Sequence, residues 1–121
     1  MPGGLKVIVR GGRDFDDRER LYGELDRLHD ARTFRLVIAG GARGADTLAV
    51  DWARFRGVAY EVYMADWKKF RRRAGPIRNQ RMLVEGKPDL VVAFAGGHGT
   101  AGMVALAREA GVEIIVIPSK Y

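Results

Sequence analysis

The sequence predicts one α/β domain over residues 1–121, a doubly wound sheet of about five parallel strands. Three observations predict it. Apolar runs alternate with helical patterns along the whole chain. The apolar runs are continuous rather than alternating, as strands covered on both faces must be. The connections are short, and strand–helix–strand crossovers of that kind pair strands in parallel with a right-handed turn.

The elements follow in order. A first strand covers about Leu5 to Val9. A helix starts at Asp16 or Asp17, with acidic residues in its first turn and Leu21, Leu25 and Leu28 at helical spacing, and runs to His29. The second strand is Arg35 to Ala39. A second helix runs from near Gly44 to Phe55, with Leu48, Trp52 and Phe55 on one face and Gly57 at the expected C-cap. Ala59 to Met64 form the third strand, and Ala65 to Ala74 break the pattern as the longest irregular piece. Gly75-Pro76 then open a third helix, with Pro76 in its first turn and Gly86 at its end. Asp89 to Phe94 form the fourth strand, Thr100 to Glu109 the fourth helix and Glu113 to Ile117 the fifth strand, closed by Pro118.

Three of the apolar runs end in doubled glycines: Gly11-Gly12-Arg13-Asp14, Gly40-Gly41-Ala42-Arg43-Gly44-Ala45-Asp46 and Gly96-Gly97-His98-Gly99-Thr100. All three fall at strand carboxyl ends, where open parallel sheets form their ligand crevice. Glycine lets the backbone approach a ligand, and the N–H groups of the following helix face an anion there. The pattern points to one crevice for a phosphate-bearing ligand.

Each segment has a bland reading beside the functional one. Gly96, Gly97, Gly99 and Thr100 could hold phosphate oxygens, or Thr100 could be an ordinary N-cap. His98 reads as an exposed loop histidine before a base or ligand. Gly40, Gly41 and Gly44 permit close approach, with Asp46 either accepting a ribose hydroxyl or complementing the helix N-terminus. Arg13 could grip a phosphate and Asp14 orient a sugar; a surface ion pair is the alternative. Arg78 and Asn79 open the third helix, and Arg78 is a phosphate partner or a solvated arginine. The basic run Lys68-Lys69-Phe70-Arg71-Arg72-Arg73 after Trp67 ranks first as a solvated loop, then as a lid over a polyanion, then as a nucleic-acid contact.

Composition narrows the classes. Hydrophobic residues make up 47% of the 121, enough for a core. Cysteine is absent, which removes disulfides and thiolate chemistry and fits a reducing compartment. The net charge of +6 permits a nucleic-acid partner without requiring one. No apolar run approaches the ~20 residues that span a bilayer, and Met1-Pro2-Gly3-Gly4 do not open a signal peptide. The expectation is a soluble, cytoplasmic protein with no membrane partner. No Walker lysine follows the glycine segments, which speaks against nucleoside triphosphate hydrolysis. No metal-ligand spacing is evident, and no cofactor is expected. Homo-oligomerisation is open.

Taken together, the four segments from Gly11-Gly12-Arg13-Asp14-Phe15 through Gly75-Pro76-Ile77-Arg78-Asn79-Gln80-Arg81-Met82 to Gly96-Gly97-His98-Gly99-Thr100 resemble the YspA-like branch of the SLOG superfamily, from Lys6 to Ile117. The resemblance implies a Rossmann-like fold that binds a nucleotide or nucleotide-derived ligand, in several branches as a sensor in bacterial and phage conflict, with no settled enzymatic activity in this branch. Two relatives imply other functions. Lonely-guy enzymes cleave the N-glycosidic bond of nucleoside monophosphates and carry P-G-G-x-G-T-x-x-E with an R-K-x-x-M segment. Ala95 to Thr100 and Arg78 to Met82 are similar, but Met103 stands at the glutamate position and cannot transfer a proton. A hydrolase would need another carboxylate, Asp14 or Asp46. The Rossmann domain of DNA-processing protein A, similar at Gly41 to Asp46, binds single-stranded DNA, and the positive charge fits that reading.

Overall fold

The computed structural model describes residues 3–118. Met1 and Pro2, where the leader question begins, lie outside the described residues. Five strands, β1 (Leu5–Arg10), β2 (Phe34–Ala39), β3 (Ala59–Val62), β4 (Leu90–Phe94) and β5 (Glu113–Ile117), form one parallel sheet in the order β3-β2-β1-β4-β5. Helices α1 (Arg18–Ala31), α2 (Ala45–Arg56), α3 (Trp67–Phe70), α4 (Ala74–Gly86) and α5 (His98–Glu109) make the crossovers. The chain moves outward from β1 through β2 to β3, then returns to β1's other side for β4 and β5. The topological switch therefore lies between β1 and β4.

Side chains of a strand alternate between faces, and this divides the core in two. Val7 and Val9 join Val37, Val92 and Phe94 against Leu21, Leu25 and Leu28 of α1 and Ala49, Trp52 and Ala53 of α2. Ile8 joins Ile38 and Val91 against Met82 of α4 and Met103 and Ala107 of α5. Burying each large apolar side chain stabilises the fold by about 1.5–3 kcal/mol. Arg10 lies two residues beyond Ile8, so it is aimed into the α4–α5 layer.

The termini of α1 and α2 follow local chemistry. Asp17 caps α1 by accepting from the Arg20 N–H at 3.1 Å. Gly57 closes α2 in the left-handed region at φ 71°.

Three expectations need correction. The third strand ends at Val62 rather than Met64, and every residue of it is exposed. It is an edge strand whose residues stay exposed although α2 approaches it, so continuous burial stops at β2. The segment expected to be irregular contains α3 and a single 3-10 turn, Arg71–Arg73, leading directly into α4. Asp66 nucleates α3 by accepting from the Lys69 N–H at 3.0 Å. The fourth helix begins at His98 rather than Thr100, with Gly97 at its N-cap.

Candidate functional site

The three glycine turns meet over the carboxyl ends of β2, β1 and β4, backbone against backbone. The Ala45 N–H donates to the Gly12 carbonyl at 3.3 Å, and Gly96 packs against Gly12. Gly44 has φ 83°, and a Cβ there would collide with the Gly12 and Arg13 carbonyls. Glycine is required at this position on both counts.

Beneath the turns lies a buried charge cluster. Arg10 donates to the Asp46 carboxylate, and both side chains are almost fully covered. The Ala42 N–H also donates to Asp46, at 3.3 Å. Arg78 donates through Nη1 to the Gly40 carbonyl and through Nε to Asn79 Oδ1 at 3.0 Å. A Cβ on Gly40 would strike Arg10, Asp46 and Arg78 at once, so this glycine makes the room in which the three charges meet. Burial pushes the Asp46 carboxyl up from its ordinary value, opposed chiefly by Arg10. Burial pulls the Arg78 guanidinium down to about 10, and repulsion from Arg10 adds to this. Asp46 forms its ion pair with Arg10 alone and Arg78 lies nearby on uncharged partners, so the floor carries more guanidinium than carboxylate.

A crevice of about 1070 Å³ opens above this floor. The first turn of α5 forms one wall. Its leading N–H groups have no partner within the helix, and Gly97 offers no side-chain cap. Thr100 is only 5% exposed, lines this wall, and its hydroxyl has no hydrogen-bond partner among the described residues. Asn79 steadies the wall by donating from Nδ2 to the Gly99 carbonyl at 3.0 Å. The opposite wall carries Arg13, Trp67 and Arg72. The Arg13 guanidinium lies over the Trp67 ring, 5.5 Å from its centroid.

The structure thus brings Gly11, Gly12, Arg13, Asp14, Arg78, Asn79, Gly96, Gly97, Gly99 and Thr100 to one crevice. Gly40 and Gly41 line a smaller adjoining cavity, and Gly44 is packed against the first turn. Asp46 does not reach the crevice surface; its side chain is sealed against Arg10. Asp14 is the carboxylate on the wall, almost fully exposed and 3.4 Å from Arg43. Met103 packs with Ile8, Met82 and Val91 between sheet and helices. The helix position where a hydrolase of the lonely-guy type carries glutamate therefore belongs to the core here.

Sequence reasoning missed Arg10 as a floor residue, and ranked the run after Trp67 that includes Arg72 first as a solvated loop, although Trp67 and Arg72 both line the wall. Strand parity was the available signal for Arg10. For Trp67 and Arg72 it was the Asp66 cap, which turns a basic run into a short helix.

Residues 5–70 match the model of the YspA, cpYpsA-related SLOG family. The chain belongs to that family. This SLOG chain is 36% identical over 118 residues to the Gene 61 protein of Mycobacterium phage D29, covering 91% of this chain and 94% of that protein. Its fold is similar to the X-ray structure of DNA processing protein A from Streptococcus pneumoniae, with a TM-score of 0.76 at 18% identity. That likeness covers 97% of this chain and 51% of the other, so the SLOG chain spans about half the length of that protein, and the likeness concerns the fold alone. Among the described residues no helix is long and apolar enough to cross a membrane.

Proposed function

We propose that the crevice binds a nucleotide or nucleotide-derived ligand, such as a nucleotide sugar or an ADP-ribose-like compound, and that the protein acts as its sensor. The observation that carries this reading is the buried, unpartnered Thr100 hydroxyl in the first turn of α5, beside a floor with more guanidinium than carboxylate. An unsatisfied buried hydroxyl and unpaired positive charge are each costly. A phosphate group offset from the glycine turns would satisfy both, with the helix N-terminus adding attraction. Arg78, Arg13 and Asn79 stand around the same space.

Binding is favoured over N-glycosidic hydrolysis because Met103 is in the core and Asp46 is sealed, which leaves Asp14 as the acid within reach. Turnover separates the two: a hydrolase using Asp14 loses it in Asp14→Asn with binding intact, whereas a binder shows none in either protein.

Single-stranded DNA is the competing ligand, suggested by the fold likeness to a DNA processing protein and by the basic wall at Arg72.

Native mass spectrometry of freshly purified protein, followed by a thermal-shift screen of nucleotides and ADP-ribose derivatives, tests the reading. A co-purified or strongly stabilising nucleotide supports it. No shift with any of them, together with DNA affinity that falls steeply with salt, overturns it.

A further inference from the structure

Trp67 stands where two cavities join. The main crevice and a smaller cavity of about 380 Å³ share Arg13, Ala42, Trp67 and Arg78. The smaller one continues past Gly41, Arg43 and Met64. The Arg13–Trp67 stack therefore sits on the boundary between them.

The indole is 46% exposed and belongs to neither core cluster. Phe15, the other large aromatic ring on the crevice, leans on Phe94 with 5.3 Å between centroids and packs against the core. Trp67 thus presents the open ring face. Its cover is a side chain on an exposed turn, whose guanidinium makes no hydrogen bond or ion pair among the described residues. An exposed guanidinium–indole contact is weaker than the stacking of a base on an aromatic ring. A flat ring would therefore displace Arg13, and the released cation would find the ligand's negative charge nearby.

We infer that the exposed indole of Trp67 is the stacking platform for the nucleobase of a ligand whose phosphate lies at the first turn of α5, with Arg13 passing from the ring to that phosphate. The inference rests on the nucleotide reading above and assigns the base its place. It makes Trp67 the residue that distinguishes a nucleotide from a bare sugar phosphate.

The test compares AMP, ribose 5-phosphate and adenosine by calorimetry and by tryptophan fluorescence. The chain has two tryptophans, and Trp52 is fully buried, so quenching at the crevice reports on Trp67. AMP is expected to bind about tenfold more tightly than ribose 5-phosphate and to quench the emission. Trp67→Ala should erase most of that advantage, whereas Trp67→Phe, which keeps a ring, should retain most of it. Equal affinity of AMP and ribose 5-phosphate for the wild type, or an AMP advantage that survives in Trp67→Ala, would overturn the stacking platform while leaving the phosphate reading standing. Adenosine binding with quenching, without any binding of ribose 5-phosphate, would sink the phosphate reading and keep the platform. Binding of none of the three overturns the platform for a simple nucleotide, and the phosphate reading falls with it when the nucleotide and ADP-ribose screen is also negative.

Discussion

Removing the Asp46 carboxylate would leave Arg10 and Arg78 buried close together with no counter-charge. Breaking a buried pair in this way costs about 3–5 kcal/mol, whereas replacing both partners with apolar groups is close to neutral. Urea denaturation should therefore show a large loss for Asp46→Ala and a smaller one for Asp46→Leu combined with Arg10→Met, which removes the bonded pair and the Arg10 repulsion while Arg78 keeps the Gly40 carbonyl and Asn79. Equal losses would mean that the pair is not what the floor depends on. A second residue-scale prediction concerns Asp26, which accepts from the Trp52 indole N–H at 2.9 Å and from Arg56. Asp26→Ala leaves that indole N–H without its partner and should cost about 1–2 kcal/mol. The Trp52 bond, with Arg56 assisting, holds the Asp26 carboxyl below its ordinary value. A depressed carboxylate stabilises the fold above its unfolded pKa and loses that contribution as the pH falls through the folded value. The gap between wild type and Asp26→Ala should thus be widest above about pH 4 and narrow in acid, modestly because Asp26 is partly exposed. Single residues show where legibility ended. Arg78, Asn79 and Thr100 could be read from their place beside glycine turns. Arg10 reads only as the polar end of an apolar strand, because its role depends on which helices its face of the sheet meets.

Most elements were legible because their signals are local. Asp17 before an acidic turn marks the start of α1, Gly57 in the left-handed region marks the end of α2, and leucines spaced by four and three mark a buried face. The exceptions arise where tertiary placement overrides pattern. Ala59 to Met64 read as a buried strand, yet β3 is the edge of the sheet and stops at Val62. α3 is four residues long and lies inside a run of cations, so periodicity cannot reveal it; only its cap could. The two aspartate caps should behave differently when removed. Asp17→Ala weakens a helix that buries Leu21, Leu25 and Leu28, and should lower the stability of the whole protein by about 1 kcal/mol. Asp66→Ala frays a short exposed helix and should leave the urea midpoint nearly unchanged while accelerating amide exchange over residues 67–73. A global loss from Asp66→Ala would mean that the basic wall is part of the cooperative core.

The sheet order puts three glycine turns on adjacent strands, and the excess of cations over acids gives the whole molecule a net charge of +6. Overall charge and a specific anion seat make different demands on salt. A diffuse positive surface attracts any polyanion, and each phosphate it neutralises steepens the fall of affinity with ionic strength. The proposed seat at Arg78, Thr100 and the start of α5 would contact one or two phosphates and should depend on salt far less. Occupation of the proposed seat should also stabilise the fold, because an anion there would offset the buried positive charge in the native state and would have no comparable seat in the unfolded chain. At about 100 times its dissociation constant, a nucleotide adds about 2.7 kcal/mol, a melting shift on the order of 10 °C for a domain of this size. Thr100→Val keeps the side-chain volume and removes the unpartnered hydroxyl. It should raise the melting temperature without ligand, since a buried polar group is no longer stranded, and shrink the shift produced by nucleotide. A variant that loses stability in the absence of nucleotide would show that the hydroxyl is already satisfied within the fold, and the argument for an anion at the first turn of α5 would lose its main support.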